Sequence, residues 1–254
     1  MSTGIVHTER HDGGVTELRL DRAPVNALNA AFLAEIHRVV DELRDDAHTR
    51  ALLLTGAGKT LSGGMDLKEL QRFTAADQQA MVTGLNATFA SLYGFPRPVI
   101  CAAHGAAIAG GMFFVLVSDY RIAGERAQFG LAEVRVGVRF PVGPFEIARS
   151  ALSNEACRRF MLSGRNHDAA TALALGAVDE VVPGEQVHTR ALEVAAEFAL
   201  IPPQTFAHTK QLLRGEVLDR VAAAVEGGAE PMLAGWFTDE TAVATQAMLA
   251  SLRR

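Results

Sequence analysis

The sequence predicts an α/β core of parallel strands joined by right-handed crossovers, followed by an all-helical tail. Three observations carry this. Short apolar runs ended by glycine or proline alternate with segments whose apolar residues recur at helical spacing. The run Ala51-Leu52-Leu53-Leu54-Thr55 is continuously apolar, as a strand buried on both faces of a parallel sheet must be. Beyond about Pro183 the strand pattern stops and only helical periodicity remains.

Taken in order, Val15 to Leu20 reads as a half-buried strand, which Asp21-Arg22-Ala23-Pro24 breaks. Between Ala30 and Leu43, the residues Phe32, Leu33, Ile36, Val39, Val40 and Leu43 form one helical stripe. Gly56 ends the buried strand that follows. A second helix carries Met81, Leu85, Phe89 and Leu92 on one side, and Pro96 and Pro98 close it before the strand Val99 to Ala103. Asp119 to Ala123 is a further strand, after a short helix. Val187 to Leu200, Pro203 to Val225 and Glu230 to Leu252 read as helices, with Gly227-Gly228 as a break. A tail of this size exposes an apolar face unless it folds back or packs on another subunit. The expected organisation is a core in residues 1–183 and a helical region in residues 184–254.

Composition narrows the function. The 254 residues include 24 Lys and Arg against 29 Asp and Glu, a net charge of −5, so the broad basic footprint of a nucleic-acid or anionic-membrane binder is missing. Cys101 and Cys157 are the only cysteines, and Cys101 lies in an apolar run, which fits a reduced, cytoplasmic chain. The stretch from Met1 to Ile5 does not look like a secretory leader. Ile108 to Val117 is too short to span a bilayer.

Two glycine-rich segments are the candidate sites. Gly56 to Leu67 follows the buried strand and leads into a helix, with Lys59 beside it as an anion contact; the spacing does not make a Walker A loop. His104 to Phe114 likewise follows a strand and opens a helix. Glycines there let a ligand approach the backbone, and amides at a helix start carry partial positive charge. One amide from each loop makes an oxyanion hole for an enolate or a tetrahedral centre.

An ordered series of fragments then gives a specific resemblance. Pro24 to Asn29, Leu61 to Leu67, Pro98 to Gly105, Gly110-Gly111, Ser118 to Ala123 and Ala127 to Glu133 together resemble the crotonase family, the enoyl-CoA hydratase/isomerase superfamily. The resemblance implies a spiral of ββα units with a carboxyl-terminal helical region that makes trimers or dimers of trimers. It implies an acyl-CoA thioester substrate, with coenzyme A as part of that substrate and no separate cofactor or metal. It places the two oxyanion amides at Met65 and Gly110. It assigns substrate contacts to Ala23, Val25 and Gly63, to Asp66 and Leu67 beside it, and to Lys59 and Lys68.

Departures from the family pattern separate the chemistries. Hydratases of this family hold water with two glutamates; the first position is Phe113 here, and the second is Glu133. A single carboxylate beside an oxyanion hole moves a proton between two carbons, so double-bond isomerisation is favoured over hydration of a 2-enoyl-CoA. An acyl-CoA-binding subunit with little turnover is the non-enzymatic rival. Pro141 stands where a dienoyl-CoA isomerase has an acid or a dehalogenase its nucleophile. Met65 stands where a decarboxylase pattern has histidine.

The stretch Phe140 to Ile147 rebuilds the acyl end of the pocket, beside which Arg139 is a candidate partner for a substrate carboxylate. Glu146 is an alternative carboxylate on the neighbouring helix, more simply read as a surface charge. Asp66 reads as a helix cap ordering the Met65 loop, and His104 as a turn or core histidine. The scattered histidines lack ligand spacing, and Ser62 and Ser118 lack a triad order.

Overall fold

The computed structural model describes residues 4–228 and 230–251, apart from the side chains of Leu67, Lys68 and Ser251. Strands β1 (Val6–His11) and β2 (Val15–Leu20) form an antiparallel hairpin. Helix α1 (Ala30–Asp45) leads to β3 (Ala51–Gly56) and the short β4 (Thr60–Ser62). Helices α2 (Leu67–Leu70) and α3 (Ala75–Tyr93) precede β5 (Val99–Ala103) and β6 (Ala106–Ile108). Helix α4 (Met112–Leu116) precedes β7 (Tyr120–Gly124) and β8 (Gln128–Gly130). The chain continues through α5 (Val142–Ala151), α6 (Asn154–Cys157), β9 (His167–Asp168), α7 (Ala169–Ala174) and β10 (Glu180–Val182). It finishes with α8 (Val187–Ala199), α9 (Pro203–Glu226) and α10 (Asp239–Ser251).

Three times the chain splits a strand pair between two sheets. β3, β5 and β7 join a six-stranded sheet of order β1-β2-β3-β5-β7-β10, and β4, β6 and β8 join a four-stranded sheet of order β4-β6-β8-β9. This is the expected spiral of ββα units. The segments carrying Met65, Gly110 and Glu133 each leave the carboxyl end of a four-stranded-sheet strand, so the spiral brings distant parts of the sequence to one edge.

The large sheet is covered on both faces. Leu52 and Leu54 of β3 pack with the α1 and α3 side, while Ala51 and Leu53 pack with Val187, Ala191 and Val194 of α8. The alternating period of a strand thus explains the continuous apolar run. The expected helical stripes are the buried faces of α1 and α3. Asn29 caps α1 by accepting from the Phe32 amide at 2.9 Å, and Thr74 and Asp77 make a capping box on α3.

Helix α9 is fastened by charge as well as packing. Lys210 Nζ lies 2.6 Å and Arg214 2.8 Å from the Asp119 carboxylate, which also accepts from the Val99 amide. Burial pushes the Lys210 ammonium down to about 8, against the pull of Asp119. One expectation fails here: Glu230 to Leu252 is not a single helix. A 3-10 turn at Pro231–Ala234 precedes an irregular stretch, and α10 starts only at Asp239. The break buries the Trp236 indole, whose Nε1 donates to the Arg139 carbonyl at 2.7 Å. Among the described residues, no helix is long and apolar enough to cross a membrane.

Candidate active site

The first glycine loop is held open by its neighbours. The segment after Pro24 runs alongside it: the Gly63 amide donates to the Val25 carbonyl and the Leu28 amide to the Gly64 carbonyl, both at 2.8 Å. Asn26 clips the two together. Its buried side-chain amide donates to the carbonyls of Ala57, Thr60 and Leu61, each at 3.1 Å. Ser62 Oγ donates to the Asn26 carbonyl at 2.7 Å and accepts from the Gly64 amide. Ser62 is therefore a structural hydroxyl, as is Ser118, which donates to the Phe114 carbonyl.

Gly64 is where the two glycine loops meet. Its φ of +79° suits glycine, and a Cβ there would sit 2.7 Å from the Ile108 carbonyl and 3.3 Å from the Gly110 amide nitrogen. Met65 and Gly110 are thereby set side by side. Among the described residues, neither amide donates to another element.

Glu133 reaches the same place from β8. A 3-10 turn over Glu133–Arg135 is tied by the Val136 and Val138 amides, which donate to the Glu133 carbonyl at 3.1 and 3.0 Å. Helix α10 closes over the turn, with Thr241 Oγ1 donating to the Gly137 carbonyl at 2.6 Å. The Glu133 side chain is 6% exposed, and its Oε2 is buried with no hydrogen-bond partner. Burial pushes the carboxyl up to about 8, against a smaller opposing effect of its own backbone amide. Phe113 lines the same space from α4, its ring 5.3 Å from that of Phe89 and 6.4 Å from that of Phe140.

Two cavities meet at this point. An inner chamber of about 20 Å³, room for about one water, is lined by Met65, Gly110, Phe113 and Glu133 and closed by Leu85, Phe140, Pro141, Pro144 and Trp236. An outer cleft of about 550 Å³ is lined by Gly63, Met65, Ile108 and Glu133 and by Arg135, Gly164, Arg165 and Asn166.

The structure thus brings together Met65, Gly63, Gly110, Phe113 and Glu133. The remaining sequence candidates divide. Arg139 lines the chamber, but its guanidinium donates to the Gly235 carbonyl and the residue is exposed. Ala23, Val25 and Lys59 line neither cavity; Val25 packs against Gly63, and Lys59 is exposed. Asp66 and Leu67 follow Met65 into α2, and the side chains of Leu67 and Lys68 lie outside the described residues. Glu146 is not a second site carboxylate: Arg149 and Arg220 hold it at 2.8 and 2.9 Å on the surface. His104 Nε2 lies 3.2 Å from the Gly58 carbonyl, a turn histidine.

Sequence reasoning placed Asn26 in the turn of expected substrate contacts but missed its clip role, and missed Trp236, Arg135 and Arg165 altogether. That Trp236 is the only tryptophan of the chain was a signal for it. One His and carboxylate group, Glu9, His11 and Glu17, is dense enough for a metal ion. Arg19 already supplies the positive charge there, 3.4 Å from Glu17 and 3.7 Å from Glu9.

Comparison with known proteins agrees with this geometry. The enoyl-CoA hydratase/isomerase family pattern matches residues 10–243. A rat protein, enoyl-CoA delta isomerase 1, mitochondrial, is 30% identical over 213 residues, covering 83% of this chain and 74% of that protein. The crystal structure of an enoyl-CoA hydratase from Mycobacterium ulcerans Agy99 superposes with a TM-score of 0.82 at 31% identity, covering 88% of this chain and 97% of that one. That of human mitochondrial delta3-delta2-enoyl-CoA isomerase gives a TM-score of 0.90 at 27% identity, with 98% of each chain covered. The likeness runs to hydratases and isomerases alike, and the chain belongs to the enoyl-CoA hydratase/isomerase, or crotonase, family.

Proposed function

We propose that the protein is an enoyl-CoA isomerase in which Glu133 is the sole acid and base. The observation that carries this reading is the pairing of a buried Glu133 carboxyl, its Oε2 without a hydrogen-bond partner, with a phenyl ring, Phe113, across one small apolar chamber. In a 3-enoyl-CoA, the Glu133 carboxylate takes a proton from C2. The electron pair delocalises through the C3–C4 double bond and the thioester carbonyl, whose oxygen becomes the enolate anion. The main-chain amides of Met65 and Gly110 donate to that oxygen where charge develops. The Glu133 carboxyl then returns its proton to C4, and the double bond ends between C2 and C3. No water enters the balance, and a phenyl ring in place of a second carboxylate leaves nothing on that side to activate one.

Burial supports the proton transfers. A carboxyl whose pKa lies near the working pH is both a competent base and a competent acid, and the apolar ring of Phe113, Phe140 and Trp236 supplies that burial. The exposed Leu200, Leu212 and Leu213 around α9 support a further part of the reading, a homotrimer or pair of trimers; mass measurement in solution tests it.

The decisive experiment assays 2-enoyl-CoA and 3-enoyl-CoA panels, reading hydration and isomerisation separately. Conversion of 3-enoyl-CoA at rates well above hydration of the 2-enoyl isomer is expected. Hydration at ordinary enzyme rates overturns the isomerase reading, and binding without turnover in either panel reduces the chain to an acyl-CoA-binding protein.

A further inference from the structure

We propose that the outer cleft ends in an anion-binding subsite, formed by Arg135, Arg158 and Arg165, that takes a phosphate or carboxylate carried by the substrate. This rests on the acyl-thioester reading of the cleft. A second cavity, of about 390 Å³, is lined by Arg135, Arg158, Arg159, Ser163, Arg165 and His167. Arg135 and Arg165 also line the outer cleft that contains Glu133, so the two spaces adjoin at these side chains. A chain of net charge −5 therefore gathers four arginines and a histidine at the mouth of its reaction cleft.

Arg135, Arg158 and Arg165 differ from the carboxylate-paired arginines elsewhere on the surface. Arg38, Arg190 and Arg220 are each held by carboxylates within 3 Å. Arg159 has only Glu155, at 3.7 Å. Among the described residues, no ion pair engages Arg135, Arg158 or Arg165. Unpaired guanidiniums facing one concavity raise its potential, and their planar forks match the oxygens of phosphate and carboxylate.

The local backbone builds the subsite. The π-helical turn Arg158–Leu162 presents the first two arginines. Gly164 follows with a φ of +59°, and a Cβ there would meet Arg135 Cγ at 2.8 Å. The Arg135 stem thus lies flat on the glycine, and its Nε donates to the Ser163 carbonyl at 2.8 Å. That bond orients the head while leaving its two terminal nitrogens for a ligand.

The anion has two possible sources, the phosphates of the thioester carrier or a carboxylate at the far end of the acyl chain. The test compares wild type with the Arg158→Gln/Arg165→Gln double variant and with Arg135→Gln. Calorimetry with coenzyme A, which needs no turnover, is read beside kinetics on one acyl group carried by coenzyme A or by N-acetylcysteamine, with and without an ω-carboxylate. If the carrier's phosphates bind here, coenzyme A affinity falls about tenfold or more and loses part of its salt dependence, while N-acetylcysteamine thioesters are unaffected. If the acyl carboxylate binds here, only the ω-carboxylated substrates lose, through KM rather than kcat, on both carriers. Unchanged coenzyme A affinity together with unchanged KM on all four substrates overturns the subsite. Because calorimetry is independent of reaction type, failure of the isomerase reading leaves this result intact.

Discussion

The inner chamber and the outer cleft share only Met65, Glu133 and Val138 among the residues that line them. On the inner side the walls are rings and prolines, and the space is about 20 Å³. The outer cleft, about 550 Å³, is lined by Leu70, Ile108, Val136 and Met248 together with Asn166 and two arginines. Glu133 stands in the partition between them. The drier inner wall raises the Glu133 carboxyl to about 8, and the larger outer cleft has the volume for a long ligand. On the proposed reading, one carboxylate at this partition serves as both acid and base.

Breaking the partition at its centre has the largest expected effect. Glu133→Gln keeps the shape and removes the proton carrier, so turnover of 3-enoyl-CoA should fall by about 10³-fold or more. Coenzyme A affinity by calorimetry should stay within about twofold. Next comes Gly64→Ala, whose methyl group would press on the Ile108 carbonyl and the Gly110 amide. Disturbing the proposed oxyanion donors should lower kcat about 10²-fold, and single-turnover kinetics separates that loss from binding.

Acidity sharpens the comparison without a mutation. With the free-enzyme carboxyl at about 8, kcat/KM should rise about tenfold per pH unit up to pH 8 and then level. The other charged residues lining these two cavities, Arg135, Arg139 and Arg165, are exposed, and none bonds to Glu133. Stability should move the opposite way. Because folding raises the Glu133 pKa above its ordinary 4.5, the stability linked to it is complete below that pH and lost as pH climbs through about 8. Thermal melting of Glu133→Gln from pH 5 to 9 should show a flatter decline than wild type.

The smallest effect on chemistry belongs to the dry wall's far end. Trp236→Ala should cost about 3–5 kcal/mol of stability and enlarge the chamber. Relative kcat/KM for longer over shorter acyl chains should increase about tenfold, with Glu133 chemistry retained. An unchanged chain-length profile would mean that Trp236 does not bound the acyl end.

The sequence carried the inner strands of the large sheet (β2, β3, β5 and β7) and helices α1 and α3 plainly, because the buried stripes and the apolar β3 are long enough for a period to register, whereas the edge strands β1 and β10 went unread. Strands β4, β6 and β8 have three residues each, too few to show alternation, so the second sheet was visible only through family resemblance. Glu133, Phe113 and the two glycine loops were legible as a pattern of residue types in order. Trp236 was not, because an indole inside an apolar stretch reads as one more helical contact until its burial breaks the helix. The arginines of the cleft mouth were hidden for a different reason. They are 30 residues apart in sequence at their extremes and ordinary in composition, and only the fold shows that carboxylate partners are missing.

The oxyanion donors proposed at Met65 and Gly110 belong to the main chain, and this has an evolutionary consequence. Apart from proline, no substitution at those two positions removes a peptide N–H, so point mutation reaches the proposed donors chiefly by shifting their backbone, as a Cβ at Gly64 would. Positions such as Phe113, Glu133 and Pro141 present side chains to the same chamber and are changed directly. A lineage on this scaffold can exchange one reaction for another at a few codons while inheriting its enolate chemistry intact.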